Sequence, residues 1–223
     1  MDKNLLLQAL TKFFAGVLSV ALLLFLPAGT LSFWNAWLFI ILLFCPMLIL
    51  GVVLFIKSPE LLKKRLNSKE KEDEQKSVIL FSIIVFVVGF VLAGLDHRFG
   101  WSHLPLWLVI AASVLLLAAY ALYAEVMREN AYLSRTVEIQ EGQKVIDTGL
   151  YGIVRHPMYS ATILLYLAIP LVLGSLPSLI VFMTYPVLIA KRIRNEEAVL
   201  EKGLAGYSDY KRRVKYKVIP FIW

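Results

Sequence analysis

An all-α bundle of membrane-spanning helices is what this sequence predicts, on three observations. Hydrophobic residues make up 59% of the 223 and the mean hydropathy is +0.73, beyond what a water-soluble domain of this length carries. Four stretches contain no Asp, Glu, Lys or Arg: Phe13 to Ile56, Ser77 to Leu95, Phe99 to Ala124 and Pro157 to Ala190. Each can cross a bilayer at least once, since about 20 apolar residues span the hydrocarbon core. The third observation is charge: of 23 basic residues only Arg98 falls in a connection predicted to lie outside.

The first stretch is long enough for two spans, and Pro27, Gly29 and Thr30 supply the turn that divides it into Phe13 to Leu26 and Phe33 to Ile56. Trp34 and Trp37 follow that turn, where amphipathic rings suit the bilayer interface and core packing equally. Lys57 to Ser77 holds seven basic and five acidic residues, with Pro59 placed to start a helix and Glu60 in its first turn. This segment is read as a solvated surface helix that links spans. Glu125 to Asn130 extends the fourth span into the cytoplasm, and Thr136 to Gly149 becomes polar and irregular. Pro170, Gly174 and Pro177, around Ser175, break the last stretch into a tight hairpin whose arms are marginal in length for a full crossing. Lys191 to Lys202 is a charged helix continuing from the membrane, ended or loosened by Gly203 and Gly206, and the tail is basic and aromatic.

Lys and Arg collect on the cytoplasmic side of membrane proteins. Two precede the first span, seven lie between Lys57 and Lys76, four between Arg128 and Arg155, and nine follow Ala190. Six hydrophobic segments with both termini inside satisfy that distribution, giving a multi-pass integral membrane protein of about five to six transmembrane segments. The net charge of +7 then reflects topology and attraction to membrane lipids, with no nucleic-acid partner. Cys45, the one cysteine, lies in an apolar span, which excludes an intramolecular disulfide and any cysteine-based metal cluster. The first apolar run continues into a second span without a small-residue cleavage pattern, against a cleaved signal peptide.

Soluble nucleotide chemistry finds no support, because neither a strand followed by G-x-G-x-x-G nor a P-loop occurs. No metal is expected: His97, His103 and His156 lack ligand-like spacing to one another or to carboxylates. The G-x-S-x-G elbow of serine hydrolases is also missing. What remains is a polar constellation in two blocks, Asp147 to Tyr159 and Arg192 to Tyr210, bracketing the last hairpin. A hairpin returns the chain to the side it left, so Arg155 and His156 should lie near Arg192, Glu196 and Glu197. The plainer alternatives are headgroup anchoring by Arg155 and His156, and a surface salt bridge between Arg192 and Glu196, four apart on a helix and worth about 0.2 to 0.5 kcal/mol.

The blocks read DTGLYGIVRHPMYSA from Asp147 to Ala161 and RIRNEEAVLEKGLAGYSDYKRRVKYKVIPFIW from Arg192 to Trp223. Together, G-x-Y-x-x-x-R-H-P-x-Y, E-E-x-x-L, Y-x-x-Y and I-P resemble the isoprenylcysteine carboxyl methyltransferase and phospholipid methyltransferase family over roughly the final 80 residues. The resemblance implies methyl transfer from S-adenosylmethionine to a lipid-like acceptor, an isoprenoid carboxylate such as prenylcysteine or a phospholipid amine, at the cytoplasmic face. It implies cofactor binding by Gly149, Leu150, Tyr151, Arg155, His156 and Tyr159, with Glu196, Glu197, Tyr207 and Tyr210 closing the site. Arg192 and Glu197 would line the reaction centre as catalytic residues. One departure is Ala161, where many members have Gly after R-H-P-x-Y-x.

These residue types suit that cofactor. Arg155 can fork its carboxylate, Glu196 or Glu197 can accept from its ammonium or ribose, and any of the four tyrosines can pack on adenine. Residues 1–124 are expected to form the four N-terminal spans with cytoplasmic linker 57–77. Residues 125–223 are expected to hold the catalytic region, the final hairpin, a C-terminal helix and the tail. Two other functions are weighed: a nicotinamide-dependent membrane reductase of sterol-like substrates, and a non-catalytic scaffold or small transporter. The lack of ionisable residues inside the first four spans argues against the transporter.

Overall fold

A computed structural model describes residues 3–66, 73–134, 136–137 and 139–223, with the backbone alone at residues 73 and 74. The described residues form an all-α bundle: α1 (Lys3–Ala28), α2 (Trp34–Lys57), α3 (Pro59–Leu66), α4 (Asp73–Phe99), α5 (Leu106–Glu129), α6 (Pro157–Val172), α7 (Leu176–Phe182), α8 (Tyr185–Gly203) and α9 (Tyr207–Arg213). Helices α1, α2, α4 and α5 are each long and apolar enough to cross a membrane, and α7 with α8 makes a fifth candidate span, Leu176–Gly203. The apolar α6 has only 16 residues. At 1.5 Å per residue it reaches about 24 Å, short of the roughly 30 Å hydrocarbon core. The chain is thus a polytopic helix bundle whose last hairpin has one short arm.

Each of the long apolar helices α1, α2, α4 and α5 buries one side in the bundle and leaves the other apolar. Leu24, Phe39, Phe90, Leu116, Ile169 and Phe182 interlock in the core, while Leu26, Ile56 and Trp107 are 70%, 73% and 68% exposed. In water, exposed apolar area costs about 25 cal/mol per Å²; against lipid it costs nothing, and the helices satisfy their backbone groups internally. The α1–α4 and α5–α6 pairs pack most extensively. At Gly94 a Cβ would stand 2.5 Å from the Leu24 carbonyl oxygen, so glycine there sets the close approach of α4 to α1.

Contacts sort the connections into two ends. At one end Lys12 donates to the Leu66 carbonyl (2.5 Å), Lys64 to that of Ala131 (3.4 Å) and Gln75 to that of Arg192 (3.3 Å). At the other the Leu176 N–H donates to the Ser102 hydroxyl (3.1 Å), and Arg98 lies beside Gly29. The predicted linker departs from a simple solvated helix. Pro59 starts α3, but its Leu61 and Leu62 are buried because they lie on one face of a helix that docks against α2. Residues 67–72 of that predicted linker lie outside the described residues. The final hairpin turns at Leu173 to Ser175, where the Ser175 hydroxyl accepts from the Ser178 N–H to cap α7.

Candidate active site

The end of α5 builds the first wall. Both carboxylate oxygens of Glu129 accept from the Leu150 N–H (2.9 and 3.2 Å), and Asn130 donates to the Tyr151 hydroxyl (2.9 Å). These bonds hold the 3₁₀ turn Gly149–Gly152, whose carbonyl at Tyr151 accepts from the Tyr210 hydroxyl (2.8 Å). Gly149 has φ +56°, and a Cβ there would stand 1.9 Å from a Glu129 oxygen, so only glycine fits. The phenols of Tyr151 and Tyr210 are both raised above the ordinary tyrosine value, first by burial, and remain neutral.

Pro157 stands at the start of α6, where its missing N–H costs nothing, and this orients the preceding Arg155 and His156. Their backbone N–H groups donate to Tyr216 and Lys217 carbonyls (2.9 and 2.8 Å), and Ser160 donates to that of Val218 (2.7 Å), so the tail runs along the entrance of the hairpin. The Arg155 guanidinium is committed to the protein. Its Nε donates to Glu197 Oε1 (2.8 Å) and its Nη1 to the Val214 and Lys215 carbonyls (2.6 and 2.7 Å). His156 Nε2 stands 3.1 Å from the same Glu197 oxygen, and Lys211 and Lys217 stand 3.7 Å from the other. Glu197 is only 4% exposed. The expected convergence of the two blocks is present, with Arg155 and His156 of the first meeting Glu197 of the second. The knot is a buried carboxylate ringed by cations.

Beside it lies a cavity of about 550 Å³, within the range of small-molecule sites. Tyr159 is part of its lining. The Tyr159 hydroxyl donates to Glu196 Oε2 (2.5 Å) and accepts from Arg192 Nε (2.9 Å), bridging two residues on one face of α8. Toward the chain's polar end Tyr151, Tyr207 and Lys144 line it; toward the bundle, Leu43 and Met47 of α2 and Ile79, Ile83 and Phe86 of α4 do so. The Tyr207 hydroxyl is buried and has no hydrogen-bond partner among the described residues. Its phenol is raised by burial, then by Glu197 and Glu196, which keeps it a neutral donor.

Of the residues predicted for the site, all but Gly149, Leu150 and Glu197 line this cavity. Gly149 and Leu150 shape the turn beneath Tyr151. Two of the expected site residues make contacts of another kind. Glu197, expected at the reaction centre, continues the buried stripe Tyr185, Ile189, Ile193 along α8, four residues apart, and meets Arg155 and His156. Arg155, expected to fork a cofactor carboxylate, has Nε and Nη1 spent on Glu197 and the tail. The adjacent acid, Glu196, is the one that faces the cavity. Spacing in α8 carried that information: Arg192 and Glu196 share one face, and Ile189, Ile193 and Glu197 share the next.

Comparison with known proteins fits this geometry. Residues 108–202 match the family model described as isoprenylcysteine carboxyl methyltransferase (ICMT) family. That region belongs to the isoprenylcysteine carboxyl methyltransferase family. It runs from α5 to the end of α8 and so carries Tyr151, Arg155, His156, Tyr159, Arg192, Glu196 and Glu197. A Delta(14)-sterol reductase of Mus musculus is 30% identical over 91 residues, 40% of this chain and 22% of that protein, so the match spans about a fifth of that relative's length.

Some residues of the site lie outside this family region or carried no motif. Arg65, from α3, and Tyr123, near the end of α5, both line the cavity and hydrogen-bond to each other. Arg65 was hidden in a run of mixed charge, and Tyr123 in an apolar stretch; a polar tip at a span's end is the one signal that pointed to it.

Proposed function

We propose that the protein is an S-adenosylmethionine-dependent methyltransferase of a lipid-like acceptor. The observation that carries this reading is one continuous cavity with a polar aromatic end and an apolar end open to the bundle, built largely by the family region. Its polar end suits the cofactor: rings of Tyr151 and Tyr207 for adenine, the Glu196 carboxylate for ammonium or ribose, and a buried Tyr207 hydroxyl awaiting an acceptor. The walls from α2 and α4 suit an isoprenoid or acyl chain. Residues 125–223 would then supply the cofactor site and residues 1–124 the surroundings of the acceptor, with both termini cytoplasmic as the basic residues direct.

When bound, S-adenosylmethionine supplies a methyl group activated by a cationic sulfur. Arg192, held by Tyr159, orients an acceptor oxygen or headgroup at the junction of the two ends. For a carboxylate acceptor no proton moves; for an amine, Glu196 accepts the proton that the nitrogen sheds. Apolar walls exclude water, and placement of the nucleophile supplies much of the rate. Arg155, His156 and Glu197 act behind this, fixing α6, α8 and the tail relative to one another.

Calorimetry on the purified full chain tests the reading: S-adenosylmethionine and S-adenosylhomocysteine should bind, and label from methyl-tritiated cofactor should enter a lipid extract. The sterol reductase relative makes nicotinamide-dependent reduction the second reading. Binding of NADPH with no binding of S-adenosylmethionine would replace the first reading with the second.

A further inference from the structure

We infer that Arg65, delivered by α3 from outside the family region, is a carboxylate-binding residue of the cavity. Its Nη1 donates to the Ser134 carbonyl (3.2 Å) and contacts Met158 Sδ (3.8 Å), and its Nη2 donates to the Tyr123 hydroxyl, above whose ring the guanidinium sits at 5.5 Å. All these partners are neutral. Among the described residues no carboxylate reaches it, whereas Arg128, Arg155 and Arg213 are paired with Glu125, Glu197 and Asp147.

The charges lining the cavity point the same way. Among the described residues lining the cavity, Arg155 is matched by Glu197 and Glu196 is held by the Tyr159 hydroxyl, whereas Arg65 has only neutral partners. A half-buried guanidinium among neutral acceptors retains donors, here Nε–H and part of Nη2, in the fork that fits a carboxylate. The neighbouring Tyr123 ring and Met158 fix its plane, which lowers the entropy that such a contact must overcome. This inference rests on the proposed methyltransferase reading for the identity of the ligand. Two carboxylates are then available, that of the cofactor's methionine moiety and that of an isoprenoid acid acceptor.

The test uses the full chain in detergent with four probes: S-adenosylmethionine, its decarboxylated analogue, farnesoic acid and farnesol. Arg65→Ala should weaken S-adenosylmethionine roughly tenfold to a hundredfold, the loss expected for a charge-assisted contact, and leave the decarboxylated analogue unchanged. Arg65→Lys should recover part of the loss. If farnesoic acid alone loses affinity, with farnesol and both cofactor forms unaffected, Arg65 binds the acceptor's carboxylate and the inference stands with that source. Unchanged affinity for all four in a variant that melts normally would overturn it. The wild type provides a check independent of folding: equal affinity for each acid and its carboxylate-free counterpart also overturns it. Wild type that binds neither cofactor form sinks the proposed function instead, and the farnesoic acid arm then decides Arg65 alone.

Discussion

Tyr207→Phe separates a ligand-binding hydroxyl from a packing ring. Tyr207 is 4% exposed, its side chain lines the cavity with the hydroxyl buried, and no described residue accepts from that hydroxyl or donates to it. A buried hydroxyl left without a partner costs about 1 to 3 kcal/mol, so deleting it should stabilise the ligand-free protein. For a chain of this size each kcal/mol raises the melting temperature by roughly 2 to 4 °C. In the complex the sign reverses, because the same deletion removes a hydrogen bond worth about 0.5 to 1.5 kcal/mol, roughly twofold to twelvefold in affinity. Burial, with Glu197 and Glu196, raises the phenol above its ordinary value, so the affinity deficit should be constant between about pH 6 and 9. The assay is thermal melting of wild type and Tyr207→Phe without and with S-adenosylmethionine, alongside calorimetry across that pH range. A variant that melts lower without ligand and binds with unchanged affinity would refute the reasoning and leave Tyr207 as packing.

Four further outcomes are expected. Glu196→Gln and Arg192→Ala should depress methyl transfer to a lipid extract by more than tenfold, a loss of the size expected when a positioned proton acceptor or orienting group is removed. Normal transfer by both would move the reaction centre away from Tyr159. Arg155→Ala should destabilise by about 3 to 5 kcal/mol, since it strands the buried Glu197 charge and releases two tail carbonyls; denaturant unfolding and proteolysis of the tail measure this. Gly149→Ala should cost about 1 to 2 kcal/mol from its φ of +56° alone, and more from the clash with Glu129, read as a lower melting temperature and weaker cofactor binding. In a Cys45→Ala background, single cysteines near residues 64 and 140 should react with an impermeant thiol reagent from the cytoplasmic side, and those near Gly29, Gly100 and Ser175 from the other. Labelling of residue 140 from outside would invert the proposed orientation.

The helices were legible because bilayer solvation is a one-dimensional constraint. A run without charged residues must be long enough to span, and breaks at Gly29 and Gly174 can be counted along the chain. The meeting of Asp147–Tyr159 with Arg192–Tyr210 was legible for the same reason, since a hairpin brings its two ends to one side. Sequence determined that much by itself: a polytopic bundle, its turns, and the pool of residues from which a site is drawn. Only the tertiary structure decided the parts those residues play. Adjacent residues on a helix point about 100° apart, so packing of Ile189 and Ile193 rotates Glu197 into the knot of cations and Glu196 into the cavity. The tail, whose carbonyls occupy Arg155, and α3, which carries Arg65 beside Tyr123, reach the site across long sequence separations that no local spacing encodes.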